Sequence, residues 1–203
     1  MDALINLYQG IMLILLFLTL TIRSIFLYLK NGIFPFVIGK DKKGFNAVIE
    51  ILFLIGLLIW SYEIITIIFN IEFHIIPIDF VNKIILNNII LKYLGMGLIF
   101  IGYILFLMSL VSFGKSWRVG IDSKNPGKLV TNGIFSITRN PIFVYIDLYF
   151  VGTALINTNI LFILFAVLVI IGIHYQILQE EIFLSNFYGQ EYSEYKKRVR
   201  RYI

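Results

Sequence analysis

The chain has 203 residues, of which 59% are apolar and 14% charged, with two histidines, no cysteine and a formal charge of +5; its mean hydropathy is +0.89. That balance excludes an ordinary soluble domain, because too few polar side chains remain to cover a surface facing water, and it places most of the chain in lipid. Without cysteine there are no disulfides, no thiolate metal sites and no cysteine nucleophile. The basic residues are dispersed among loops rather than gathered on one soluble face, which argues against a nucleic-acid partner.

A bilayer core takes about 20 helical residues to cross, and the chain divides into runs of that order. The first, about Leu4 to Leu29, carries Arg23 near its end, where a long side chain can snorkel to the headgroups. This run is long, has no basic residue ahead of it and no small-x-small site after it, so it reads as a span rather than a signal peptide. A second run covers about Ala47 to Phe69 and a third about Tyr93 to Val111; the loop between them holds Pro77, Asp79 and a possible short interfacial segment. A long polar stretch follows, from Gly114 to Pro141. Two further apolar runs, about Ile142 to Ile156 and Ile160 to Leu184, are separated only by Asn157, Thr158 and Asn159, the pattern of a tight antiparallel hairpin. In the tail, Tyr188, Tyr192, Tyr195, Val199 and Tyr202 recur at steps of four and three. That spacing predicts an amphipathic helix lying on the inner leaflet or against the long loop. The expected fold is therefore all-α and polytopic, with about five transmembrane helices.

Of the 17 basic residues, all but Lys83 and Lys92 fall in three groups: Arg23, Lys30, Lys40, Lys42 and Lys43; Lys115, Arg118, Lys124, Lys128 and Arg139; and Lys196, Lys197, Arg198, Arg200 and Arg201. By the positive-inside rule the N-terminus is expected outside and the C-terminus in the cytoplasm, in the cytoplasmic membrane of a prokaryote.

Ionisable residues within or at the edge of a span are costly and rare, so each is a functional candidate: Glu50, Glu63, Asp147, His174, Glu180 and Glu181. Glu50 and Glu63 lie near the ends of their span and read as interfacial or interhelical hydrogen-bonding groups. Asp147, two turns into the fourth run, suits a polar cavity or a pairing with another helix equally. His174 and Glu181 are seven positions apart and share a helical face, with Gln176 and Glu180 in a second row, so this end of the helix presents an acidic wall, or simply emerges into the cytoplasm. With two histidines and no facing ligand set, no metal site is expected. Ahead of the fourth run, Arg139-Asn140-Pro141 predicts a turn and a helix beginning with Pro, whose free N–H groups, with Arg139, could take a carboxylate or phosphate.

The string GKSWRVGIDSKNPGKLVTNGIFSITRNPIF, then His174, then EEIFLSNFYGQEYSEYKKRVRR, resembles the isoprenylcysteine carboxyl methyltransferase family and the related phospholipid N-methyltransferases. The resemblance covers about Gly114 to Arg201, and its weight lies in the order and spacing of the pieces. It implies an enzyme that uses S-adenosyl-L-methionine without a Rossmann domain, methylating a lipophilic, membrane-embedded acceptor. It also implies a division into three N-terminal spans, residues 1–112, and a cofactor-binding half, residues 113–203. By the resemblance, Leu129, Val130, Gly133 and Phe135 line the cofactor and Arg139, Asn140 and Pro141 form the turn that holds it. His174, Glu180 and Glu181 stand on the last helix, with Glu181, His174 and Arg139 the residues implied to act in catalysis. Aromatic faces such as Phe135 and Phe143 suit a sulfonium.

Three positions depart from the pattern: Asn140 stands where the carboxyl methyltransferases commonly have His, Phe143 where they have Tyr, and Gln176 where they resemble one another in an Arg facing the acceptor carboxylate. Methylation of a prenylcysteine carboxylate remains the first expectation, with a phospholipid amine, a thiol or another lipophilic nucleophile as alternatives. A non-catalytic membrane scaffold of the same fold is a further reading. A transporter is disfavoured, because the first three spans lack paired ionisable residues and no inverted repeat is present.

Overall fold

The structure, a computed structural model, describes residues 2–32, 45–117 and 127–203. Its helices are α1 (Asp2–Asn31), α2 (Phe45–Phe69), α3 (Ile78–Asn82), α4 (Ile89–Phe113), α5 (Pro141–Asn157), α6 (Ile160–Tyr188) and α7 (Gln190–Arg198), with 3-10 turns at Gly114–Ser116 and Gly133–Ser136. Four helices, α1, α2 from Ile51, α4 and α6, are long and apolar enough to cross a membrane, while α5 has 17 residues. The chain is thus an all-α polytopic membrane protein. The short α5 is the best covered of its helices: Tyr145, Tyr149, Phe150, Ala154 and Ile156 all lie in the core.

Helices α4 and α5 approach closely because glycines face each other. A Cβ on Gly152 would stand 2.6 Å from the Gly95 carbonyl oxygen and 2.6 Å from Ile99 Cγ1, whereas one on Gly97 would meet nothing within 4 Å. Small residues let backbones touch where lipid offers no hydrophobic drive for association. Gly152→Ala is therefore expected to lower stability by about 1–3 kcal/mol, the usual cost of overpacking, and Gly97→Ala to leave it unchanged. Thermal melting of both variants in one detergent checks this.

At the end of the bundle holding the hairpin turn, the three polar residues are satisfied by other elements. Thr158 takes a left-handed conformation (φ 45°) and its carbonyl accepts from Ile85 N at 2.8 Å. Asn159 caps α6 by accepting from Phe162 N at 3.0 Å and donates to the Val81 carbonyl at 2.8 Å. Asn157 donates to Gln9 Oε1 at 2.8 Å. The short helix α3 appears where an interfacial segment was expected, and Glu63 holds the loop before it. Its fully buried carboxylate accepts from Ile75 N (3.0 Å) and Ile76 N (3.1 Å) and lies 2.7 Å from His74 Nδ1. Glu63 thus ties a loop to its own helix rather than bridging two spans. For Glu50 only the helical backbone lies within the described residues, and Arg118 and Lys124 fall outside them.

Two expectations change. Arg23 is engaged by the protein rather than left to the headgroups alone: its guanidinium donates to the carbonyls of Leu110, at 3.1 Å, and Gly114, so the cation sits at the C-terminus of α4 where unpaired carbonyls gather. The tyrosine stripe of the tail is not one helix. Gly189, at φ 55°, ends α6 and begins α7, and Val199 is extended, so Tyr188, Tyr192 and Tyr202 belong to three different segments.

Candidate active site

The polypeptide from Leu129 to Pro141 is fixed from below by α4 and from the side by the tail. Gly133 adopts φ 60°, and a Cβ there would run into Ser112 Oγ, so only glycine allows the backbone to lie this close to the end of α4. Phe135 is buried edge-on against Phe113, with ring centroids 4.5 Å apart, while Leu129 and Val130 are half-buried where the chain enters. Phe143 packs against the core.

The turn that follows pairs with the extended tail. Arg139 N donates to the Arg200 carbonyl at 2.9 Å, and Thr138 pairs with Arg200 in a parallel bridge. Thr138 Oγ1, fully buried, donates to the Arg201 carbonyl at 3.2 Å, and Asn140 Nδ2 reaches the same oxygen at 3.0 Å. Pro141 begins α5 at its first turn, where its missing N–H costs nothing.

Glu181 sits where turn, tail and α6 meet, and it is only 4% exposed. Arg139 Nη2 donates to its Oε1 at 2.7 Å; Arg201 donates to Oε2 through Nη2 at 2.8 Å and to Oε1 through Nε at 3.1 Å; Lys196 Nζ is 3.7 Å from Oε2. Arg139 Nη1 also donates to the carbonyls of Lys196 (2.9 Å) and Val199 (3.0 Å), while its Nε is buried without a hydrogen bond. One carboxylate thus faces three cations, and the Glu181 hydrogen bonds hold the Arg201 guanidinium above its ordinary range. The fork of Arg139, expected from the sequence at a turn next to a ligand, here binds the protein's own carbonyls and carboxylate. Glu180, next along α6, is half-buried.

One face further into the membrane, His174 Nδ1 lies 2.6 Å from the Tyr202 phenol, with the two rings stacked. Burial raises the Tyr202 pKa, and the carboxylates of Asp147 and Glu181 add to the shift against the opposing pull of Arg201. Tyr202 thus touches His174 directly, and among the described residues Asp147 Oδ1 is buried with no hydrogen bond. The spacing of the tail tyrosines singled out Tyr202 but set it on a helical face, whereas Tyr202 and Arg201 lie beyond the last helix, and nothing in the spacing paired them with His174 and Glu181.

The tail is anchored at a third point, where Tyr195 donates to the Phe135 carbonyl at 2.7 Å. Burial, against a smaller opposing effect of Arg139, pushes this phenol up to about 12. An unfolded tyrosine releases its proton near 10, so the folded chain holds it more tightly. The stabilisation is fully present below about pH 10 and is lost as pH rises through about 12. Tyr195→Phe is expected to remove this alkaline dependence and to cost about 1 kcal/mol at neutral pH, read from melting curves recorded from pH 8 to 12.

A family model described as phospholipid methyltransferase matches residues 90–191, half of the chain, from the start of α4 into α7. The chain belongs to that family. It is also similar to proteins whose names state an acceptor. It is 34% identical over 108 residues to protein-S-isoprenylcysteine O-methyltransferase B of Arabidopsis thaliana, covering 52% of this chain and 55% of that one. With a probable protein-S-isoprenylcysteine O-methyltransferase of Oryza sativa subsp. indica the identity is 29% over 111 residues, 53% of this chain and 58% of the relative. With the protein-S-isoprenylcysteine O-methyltransferase of Schizosaccharomyces pombe it is 31% over 108 residues, 52% and 46% respectively. The chain thus spans about half the length of the curated relatives it matches. Every residue of the candidate site up to Glu181 lies within the stretch matched by the phospholipid methyltransferase family, whereas Arg201 and Tyr202 lie beyond it.

Proposed function

We propose that this member of the phospholipid methyltransferase family transfers a methyl group from S-adenosyl-L-methionine to a lipophilic acceptor at the membrane edge. The observation that carries the reading is the meeting, inside the family-matched stretch, of Arg139 from the turn with Glu181 of α6, with His174 of the same helix held by Tyr202 of the tail. The residues present fit such a cofactor. A buried donor, Arg139 Nε, and a buried acceptor, Asp147 Oδ1, are left without partners among the described residues, and a molecule carrying both a carboxylate and cationic groups needs one of each.

When bound, the cofactor supplies a sulfonium methyl open to in-line displacement, a reaction helped chiefly by positioning and by keeping water out. In this chain Arg139, Arg201 and Lys196 favour a carboxylate, while Asp147 and the face of Phe135 favour positive charge. An acceptor with a proton to lose has His174 at hand: in the tautomer whose Nδ1–H donates to Tyr202, Nε2 carries the lone pair that can take that proton. Leu129, Val130, Gly133, Asn140 and Pro141 shape the segment around the site, and Glu180 and Glu181 close it from α6.

The names of the relatives favour a prenylcysteine carboxylate as acceptor. A second reading, a phospholipid amine, is supported by Gln176 standing where the carboxyl methyltransferases have Arg, and by the unpaired Asp147 oxygen, which suits an ammonium. Calorimetric titration of the detergent-purified protein with S-adenosyl-L-methionine tests the cofactor; absence of binding would favour a scaffold. Transfer of labelled methyl separates the acceptors, since an ester releases methanol in base and an N-methyl group does not. The charge pattern further supports an external N-terminus and a cytoplasmic C-terminus, which tail reporter fusions active only outside the cell would contradict.

A further inference from the structure

On α6 the core-facing side chains are Ala166, Val169, Ile173 and Ile177, all buried. Tyr175, Leu178 and Ile182 lie nearly half a turn round from that row, given 3.6 residues per turn, and Ile182 is 56% exposed. Between this outward face and the tail runs a cleft of about 450 Å³, lined by those three residues, Ser185, Lys196 and Arg201, with Glu181 at its inner edge. The cleft therefore opens outside the helix bundle, whereas the Gly133–Pro141 segment approaches Glu181 from within.

Depth and charge point to one occupant. Helix α6 has 29 residues, roughly 43 Å at 1.5 Å per residue, and the hydrocarbon takes about 20 of them. Counted from Asn159, the boundary falls near Glu180, so Tyr175 and Leu178 lie at acyl-chain depth while Lys196 and Arg201 stand at headgroup level. In the lining of the cleft two cations, Lys196 and Arg201, face the single carboxylate of Glu181, and the side chains of Lys196 and Arg201 are 46% and 32% exposed, so positive charge reaches its mouth.

We propose that this cleft is a seat for one acidic phospholipid of the surrounding leaflet, its phosphate held by Lys196 and Arg201 and its upper chain lying on Leu178 and Ile182. The cleft shares Glu181, Lys196 and Arg201 with the candidate methyl-transfer site, and its test reads lipid retention rather than transfer. A seated lipid would hold the tail against α6 from outside, as Arg139 holds it from inside.

Native mass spectrometry of the full chain in a neutral detergent, with defined lipid added, tests the proposal. One phosphatidylglycerol per chain is expected to be retained in preference to phosphatidylcholine, and an excess of inorganic phosphate is expected not to displace it. Lys196→Ala is expected to reduce retention about fivefold, the effect of one basic residue near an anionic surface. Ile182→Glu, at an exposed position that folding does not need, is expected to abolish it. Lys197→Ala, outside the cleft, is expected to leave it unchanged. Equal retention of phosphatidylcholine, displacement by inorganic phosphate, or equal losses in Lys197→Ala and Lys196→Ala would overturn the lipid seat in favour of, respectively, a merely apolar groove, a soluble-anion site or diffuse charge.

Discussion

Glu181→Ala is expected to detach the tail and abolish cofactor binding together, with a loss of stability of about 3–5 kcal/mol, the usual cost of removing one partner from a buried ion pair. The side chain takes three hydrogen bonds from two guanidiniums. Without it, Arg139, whose side chain is 7% exposed, keeps its charge where water cannot reach it. Arg139 and Arg201 then repel each other across the space the carboxylate filled. The backbone pairing of Thr138 and Arg139 with residues 200 and 201 lies next to that repulsion and is expected to open. Glu181→Gln separates charge from shape: the amide oxygen accepts from one arginine, but the amide nitrogen meets the other donor to donor, so most of the loss should remain. Melting in detergent, combined with calorimetric titration by S-adenosyl-L-methionine, reads both effects. A Glu181→Ala protein that melts like wild type would show that the cluster does not fasten the tail, and one that binds the cofactor with unchanged affinity would remove Glu181 from the site.

The long elements were legible because lipid imposes one pattern on a span: apolar runs of fixed length, broken by polar turns. The hairpin at Asn157–Asn159 and the short α3 were legible for the same reason. The Arg-Asn-Pro turn, His174 and Glu181 could be singled out because charge is costly near lipid. What could not be read was who partners whom. Arg23 looked like a snorkelling side chain because the sequence holds no sign that the carbonyls of α4 end beside it. Glu63 read as interfacial or interhelical without a named partner, because its partners include backbone N–H groups of a loop, and nearly every residue has one. The tail looked like a single amphipathic helix because periodicity does not register one glycine at positive φ, and Gly189 moves Tyr202 from a helical face onto His174. The close approach of Gly95 to Gly152 was likewise not read, although Gly95, Gly102 and Ser109 recur every seven residues on the buried face of α4.

Arg139→Lys changes neither charge nor the ability to reach the headgroups, which makes it the sharpest test of what the turn does. An interfacial anchor would tolerate lysine. The structure gives this side chain three directed hydrogen bonds from two guanidinium nitrogens, to the carbonyls of Lys196 and Val199 and to Glu181 Oε1. The carbonyl pair lies at the end of α7 and the start of the extended tail, so Arg139 braces the point where helix gives way to extended chain. A single ammonium cannot span both carbonyls and the carboxylate, because its donors radiate from one point while the planar fork spreads them over two nitrogens. If lysine keeps Glu181, both carbonyls lose a charged donor, at about 1.5–3 kcal/mol each; if it keeps the carbonyls, Glu181 is left to Arg201 and Lys196. Either way Arg139→Lys is expected to free residues 199–203 before the transmembrane helices melt. Limited trypsin digestion reads this directly, with cleavage at Arg198, Arg200 and Arg201 expected to rise at least about tenfold, the factor for a loss of 1.4 kcal/mol in local opening. The same release takes Tyr202 from His174 and Arg201 from Glu181, so affinity for S-adenosyl-L-methionine should fall in parallel with protection. Loss of affinity with the tail still protected would instead make Arg139 a direct ligand of the cofactor, while wild-type protection and affinity would leave it an anchor at the membrane surface.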